Sequence, residues 1–469
     1  MIDLAYASLT QDGDAAYVVG PVSDAPDNGY LWHYWLPWLA LLDREHLRLR
    51  PLDIVLREGS PFVFPLELRW ECIKWMKKLR RTEAVGFLSP HIPSSVLAAA
   101  RSGKAIILLF FGHEGRSLSI PNKEGQEVSA YDLILDFVRR SELPPGAVWF
   151  INGNLAGEQE YRSWKHRRLG DKDRPDVFQS RFVEPFSHFA QLACREKERG
   201  YQAKVDWKAT KNADGTFTHQ YTRLALEPIT QNAGAIGAQP KRPTNGPPKL
   251  FLCMNRMPRK HRRTIVCHLL RRGFLERSLI SFHDDNPDWI HFSDHEMEAA
   301  SRELQRQQPL IIDRDLPLDF ESYYRTNAAV VNSGEVWPYH DTCFSIVTET
   351  QFNNEVLFIS EKIWKPIQNR HPFLVVGTPG TLAYIRLLGF QTFNPLIDER
   401  YDSLAGNEHR MQALFDCIDT LGNLDDNQRL ALLRRTEPIL LHNERHLRQL
   451  RSPMASLLSE IHATFSRLG

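Results

Sequence analysis

The chain is short of cysteine, of charge imbalance and of long apolar runs, and each shortage closes off a class of protein. Its six cysteines (Cys72, Cys194, Cys253, Cys267, Cys343, Cys417) are scattered over 469 residues without a Cys-x-x-Cys pair. That leaves out a disulfide framework and a structural zinc ribbon, and points to a reduced, cytoplasmic protein. Lys plus Arg total 58 against 57 Asp plus Glu, for a net charge of +1. There is neither the basic footprint of a nucleic-acid binder nor the acidic excess of a solvating chain. The most apolar window, Leu31 to Leu42, contains His33 and Pro37 and falls short of the roughly 20 residues a membrane span needs. Its Trp32, Tyr34, Trp35 and Trp38 read as an aromatic core segment, with peripheral contact at the inner face of a membrane as the weaker alternative. Met1 to Thr10 is neither basic nor apolar enough for a signal peptide. H-E-x-x-H, G-x-x-x-x-G-K-[ST] and G-x-G-x-x-G with its acidic partner are all missing, which removes zinc peptidases, P-loop NTPases and the dinucleotide fingerprint. No G-x-S-x-G is present either, and no internal repeat shows at solenoid periods.

What is present is an alternation of strand and helix patterns. Pro65 to Arg80 has the apolar spacing of a helix. Ala105 to Phe111 (AIILLFF) is a continuous apolar run, the mark of a central parallel strand buried on both faces. A helix over Tyr131–Arg140, a strand over Ala147–Ile151 and a helical pattern over Arg181–Arg199 follow. Gln231 to Pro248, rich in Gly, Pro and Asn, is the clearest break in the chain and reads as a linker or mobile loop. A second α/β run then opens with a strand over Lys249–Met254, a loop over Asn255–Arg263 and a helix over Thr264–Arg272 stopped by Gly273. A strand ending in Thr348-Glu349-Thr350 leads to Ser360-Glu361-Lys362, which reads as a capped helix start. A strand over Pro372–Val376, the turn Gly377 to Gly380 and a helix from Thr381 closed by Gly389 complete a βαβ unit, before a helical tail over Asn407–Gly469. The expected organisation is an N-terminal α/β domain over 1–230, the linker over 231–248, and a C-terminal α/β domain over 249–469 that carries the tail. Two Rossmann-like domains would then face a central cleft.

Parallel sheets bind ligands beyond the carboxyl ends of their strands, and polar residues gather there. Arg259, His261, Arg262 and Arg263 stand beside a helix start and suit a di-anion; a solvated basic helix start is the plain alternative. Glu361 and Lys362 offer a carboxylate for sugar or ribose hydroxyls and an ammonium for phosphate; alone, they would read as a capped surface helix. Gly377 allows close approach of a ligand to the backbone. Past the first central strand, Glu114 and His113 are placed to act as a general base, with Glu158 as a second candidate, while Asn152-Gly153-Asn154 ends a neighbouring strand and would line the same cleft. His283 to Asp288 carries Asp284, Asp285 and Asp288, but Asp-Asn and Asn-Pro are ordinary turn chemistry, and no metal is expected.

The stretch from Phe344 to Phe393 resembles the donor-binding segment of GT-B-fold glycosyltransferases, most closely the α1,3-fucosyltransferase-like group. The resemblance spans about 140 residues, Lys249 to Tyr401 with gaps. It rests on Thr348-Glu349-Thr350, on Phe358-Ile359-Ser360-Glu361-Lys362, on the strand and turn ending at Gly377, and on Phe251 to Arg263, where Asn255, Arg259 and above all Arg262 match a strand followed by a phosphate-contacting guanidinium. Thr350 stands where the group has Asn, and Phe358 where it has Tyr. The resemblance implies a metal-independent, inverting transfer of a hexosyl or fucosyl unit from a nucleotide sugar to a hydroxyl of a glycan or other acceptor, with no cofactor. It also implies a last helix that crosses back to the first domain. A non-catalytic module of the same fold, binding a glycan, a nucleotide or a protein, is the alternative. Neither reading calls for an oligomer.

Overall fold

The computed structural model describes residues 1–11, 16–20, 31–33, 35–68, 88–112, 115, 117–121, 125, 127–170, 177–211, 217–228, 248–255, 259–282, 295–306, 337–353 and 356–468. Its contacts divide the chain into unit 1, Met1–Pro228 with Arg451–Gly469, and unit 2, Ile229–Leu450. The linker stretch 231–247 and the His283–Asp288 motif lie outside the described residues.

Unit 1 is built on six parallel strands: β1 (Ile2–Tyr6), β2 (Leu47–Pro51), β3 (Phe62–Leu68), β4 (Ala105–Phe111), β5 (Val148–Asn152) and β6 (Gln179–Phe182). Their order across the sheet is β6-β5-β4-β3-β1-β2, a Rossmann-like winding. The apolar run is the central strand as expected: every residue of β4 is buried, between β3 and β5. The helices are α1 (Trp35–Leu42), α2 (Leu52–Glu58), α3 (Ser94–Arg101), α4 (Ala130–Arg140), α5 (Gly157–Leu169) and α6 (Phe186–Glu198). Pro65 to Leu68, expected to open a helix, instead completes β3, and 69–80 lie outside the described residues. Leu66 and Leu68 fit a period of two as well as one of 3.6, and the preceding Phe62-Val63-Phe64 carries the strand through them. A separate antiparallel sheet pairs Tyr201–Lys211, Phe217–Pro228, Ala16–Val19 and Leu9–Gln11 in that order.

All eight residues of α1 are buried, as befits a helix apolar around its whole circumference. Trp35 and Trp38 stack at 5.3 Å between ring centroids and pack on Phe186 and Phe189 of α6. The two indoles are core residues, as the plainer reading of the aromatic window expects, and among the described residues no helix is long and apolar enough to cross a membrane. The carboxyl of Glu67, at the end of β3, accepts the Trp35 and Leu36 N–H groups at 2.7 and 3.0 Å. Glu67→Gln turns an –NH₂ toward one of those donors, and the expected cost is about 2 kcal/mol in urea unfolding. An unchanged midpoint would show that the helix start needs no such acceptor.

Unit 2 is built on four parallel strands, β7 (Lys249–Met254), β8 (Leu279–Ser281), β9 (Thr342–Thr348) and β10 (Phe373–Val376), in the order β8-β7-β9-β10. Around it run α7 (Lys260–Arg271), α8 (His295–Arg306), α9 (Trp364–Gln368), α10 (Thr381–Leu387), α11 (Asn407–Gly422) and α12 (Asp426–Gln449). α7 begins four residues earlier than its sequence suggests. Thr264, expected as the first helical residue, lies inside the helix, and its Oγ1 donates back to the Lys260 carbonyl at 2.9 Å. His261, Arg262 and Arg263 therefore lie in the first turn rather than in a loop. Gly389 ends α10 at φ +95°, and His446 leaves no room there for a side chain. α12 opens with a capping box between Asp425 and Gln428. The tail divides: α13 (Pro453–Leu468) belongs to unit 1, where its stripe of Met454, Leu457, Leu458 and Ile461 is buried and Glu460 pairs with Arg181 at 2.9 Å. Two Rossmann-like parallel sheets, one per unit, and a long C-terminal helix are consistent with the GT-B class.

Candidate functional site

Four chain segments meet at the carboxyl ends of β7, β9 and β10. Glu349, the first residue past β9, is their junction. Its side chain is fully buried, and one carboxyl oxygen accepts the Ser360 and Thr350 N–H groups at 3.2 and 3.3 Å. The other oxygen, Oε1, is buried and meets no hydrogen-bond partner among the described residues. Burial drives the Glu349 carboxyl above its usual range, against the pull of Lys362 and Ser360. Gly377, just past β10, is the neighbour that permits this. A Cβ there would sit 3.3 Å from the Glu349 Cβ, tighter than most such contacts.

The segment after β9 is tied down from α7. Arg262 Nη2 donates to the Thr348 and Glu349 carbonyls at 3.3 and 3.2 Å, and His261 Nε2 donates to the same Glu349 carbonyl at 2.9 Å. His261 is pushed down to about 3 by burial and by Arg262, so it is a neutral imidazole carrying its proton on Nε2. Its ring stacks on Phe352 at 5.4 Å, and the Arg410 guanidinium lies 4.3 Å from the same ring. Asn255, at the end of β7, accepts the Thr348 hydroxyl at 2.7 Å and donates to Cys253 Sγ. Asn255 and Thr348 thus lock two strand ends to each other.

The Ser360-Glu361-Lys362 element is a turn that leads into the five-residue α9, not the first turn of a longer helix. Pro366 lacks an N–H, and the chain must reach β10 at Phe373, so the helix stays short. Ser360 still organises the turn: its Oγ accepts the Lys362 N–H at 3.4 Å and the Lys362 ammonium at 3.2 Å. The ammonium also donates to Glu361 Oε1 at 2.7 Å. Burial would raise the Glu361 carboxyl, but Lys362 and then Lys365 outweigh it and hold the group at about 2. Lys365 is itself lowered to about 8, chiefly by burial. The result is a pair of buried carboxyls, Glu349 raised by burial and Glu361 held ionised by Lys362 and Lys365, with Lys362 about one-fifth exposed.

Of the sequence candidates, Asn255, Arg262, Thr348, Glu349, Thr350, Ser360, Glu361, Lys362 and Gly377 come together here. Arg259 is the half-buried residue preceding α7 and lies close enough to disfavour protonation of His261. Phe358 is a buried core side chain. The turn at Gly377–Gly380 is closed by the protein itself: Asp402 accepts the Leu382 and Ala383 N–H groups at the start of α10. Lys365 and Arg410 were missed by the sequence reading. The spacing of Lys365, four residues after Glu361, could have found it; nothing local marks Arg410. In unit 1, His113 and Glu114 lie outside the described residues. Asn152 and Asn154 make successive side-chain turns into α5, accepting the Asn154 and Ala156 N–H groups, and Glu158 is an exposed partner of Arg162. Among the described residues no three His, Cys, Asp or Glu side chains gather as a metal site would need.

Comparisons with known proteins add no relative to this geometry: no family model, no curated protein and no solved structure matches the chain.

Proposed function

We propose that the chain is a glycosyltransferase that moves a sugar from a nucleotide-sugar donor to a hydroxyl of a glycan or other acceptor, with inversion and without a metal. The observation that carries this reading is the cluster of Glu349, Glu361 and Lys362 at the carboxyl end of a parallel sheet of Rossmann-like order, where such sheets take nucleotides. The leaving nucleoside diphosphate gains negative charge in the transition state. A partly exposed ammonium beside an arginine-bearing helix start stabilises that charge in a site of low dielectric. Glu361, ionised across the physiological range, accepts hydrogen bonds from ribose or sugar hydroxyls. The acceptor hydroxyl must lose a proton, and Glu114 with His113 are the sequence candidates for that base. One observation favours the second reading, a module that binds without turnover: Arg262 and Lys362 already have partners inside the protein.

The test is a thermal-shift series with GDP, UDP, ADP, TDP and CMP, each with and without EDTA. At about 100 times its dissociation constant a ligand adds about 2.7 kcal/mol to stability. One nucleotide should stand out, unaffected by chelator. A shift that needs added metal would overturn the metal-free reading and direct attention to Asp284, Asp285 and Asp288. No shift with any nucleotide would overturn the donor site itself. If a nucleotide binds, donor hydrolysis or transfer that survives Glu114→Ala removes Glu114 as the base.

A further inference from the structure

A polar cavity of about 780 Å³ lies in unit 1 between α5 and the edge strand β6. α5 lines it from Glu158 to His166, a helix length of about 12 Å, so the cavity is a groove rather than a hole. Three cations border it: Arg162, Lys165 and Arg181. Glu158 is the acid in the lining and pairs with Arg162; Glu460 of α13 reaches Arg181 at 2.9 Å. Arg181 is held rigidly, with its guanidinium 5.1 Å from the Trp149 ring and Nη1 donating to the Ser180 carbonyl. In the wall, Ser180 is only 7% exposed, and its hydroxyl meets no hydrogen-bond partner among the described residues. A buried hydroxyl left in that state costs stability unless something polar completes it. Phe182 and Tyr161, 6.2 Å apart, give the groove an aromatic face.

We infer that this groove binds an anionic oligosaccharide, a glycan carrying carboxylate or phosphate groups. The cations take the charge, Ser180, Gln159 and Ser163 take hydroxyls, and the aromatic face covers the apolar side of a sugar ring. The length of the groove suits several linked rings better than a single one. Identifying this glycan as the acceptor rests on the transferase reading; the binding does not.

The experiment is isothermal titration of the full chain with oligogalacturonate, with the methyl-esterified oligosaccharide as the neutral control and an oligothymidylate as a competing polyanion. The nucleotide thermal-shift series is run beside it. The charged sugar should bind at least ~10-fold more tightly than its ester. Lys165→Glu and Ser180→Ala should each weaken it ~5- to 10-fold while far-UV circular dichroism and the nucleotide shift stay unchanged. Equal binding of the ester, equal competition by oligothymidylate, or binding indifferent to both variants would each overturn the inference. Glycan binding without any nucleotide shift would leave the groove standing and sink the transferase. A nucleotide shift without glycan binding would do the reverse.

Discussion

Lys362→Ala should abolish the nucleotide-induced thermal shift and destabilise unit 2 by about 3 kcal/mol at neutral pH. Both effects follow from one ammonium. It sits on Glu361 Oε1 and Ser360 Oγ and draws the buried Glu349 carboxyl toward its charged form. Without it, Glu361 keeps Lys365 as a counter-charge, and Glu349 loses the lysine that favours its charged form. The pH dependence gives the test its edge. Glu361 is held at about 2 in the folded chain, below its ordinary 4.5, so the unfolded state binds more protons between those values. The stability this contributes is fully present above pH ~4.5 and lost as the pH falls through ~2. Glu349 works the other way: its raised carboxyl favours folding while protonated and withdraws that support as the pH rises above 4.5. Urea unfolding of the parent and Lys362→Ala from pH 3 to 8 should therefore show a gap that narrows toward acid. A gap independent of pH would mean that the ammonium acts through packing and not through Glu361.

Arg262→Met should cost about 3 kcal/mol and shrink the nucleotide shift only in proportion to the lost order of the segment after β9. The resemblance to fucosyltransferases puts a donor phosphate on this guanidinium. The structure puts its Nη2 on the Thr348 and Glu349 carbonyls. Methionine keeps much of the apolar stem and removes both donors, leaving His261 alone on the Glu349 carbonyl. Lysine at the same place should recover less than half of the loss, because its ammonium sits on a flexible stem and is less well held in place than the planar guanidinium. Normal stability with complete loss of nucleotide binding would return Arg262 to the phosphate. The denaturation midpoint and the thermal shift, measured on the same variant, separate the two roles.

Much of this architecture is legible from local pattern. The run from Ala105 to Phe111 can hardly be anything but an interior strand, and Lys249–Met254 forms its strand at the expected bounds. The polar residues that end β9 were legible because strand ends are local signals, whereas the Ser360 hydroxyl only looked like a helix cap: the helix that follows starts at Trp364 with no side-chain cap. What escaped depends on distance. The His261–Phe352–Arg410 stack joins positions far apart in the chain. Glu67 caps a helix 31 residues before it, so no sequence window around α1 contains its cap. The start of α7 was misplaced because Lys260 to Arg263 is a run of basic residues with no apolar position to mark the helical period before Ile265. The mutual engagement of Asn255 and Thr348 was likewise hidden: sequence shows two polar residues at two strand ends, not that they satisfy each other.

The route of the chain between the units bears on how the protein is made. Unit 2 is one uninterrupted stretch, Ile229–Leu450, whereas unit 1 takes its last helix from Arg451–Gly469. Emerging from a ribosome, the earlier part of unit 1 must wait with the surface destined for Met454, Leu457, Leu458 and Ile461 still uncovered while some 220 further residues are synthesised. Unit 2 has everything it needs before then. Completion therefore runs against the order of synthesis, and the half made first is the last to be sealed. A chain stopped at Leu450 would contain an entire unit 2 and an apolar scar on unit 1, the kind of surface that chaperones and proteases detect.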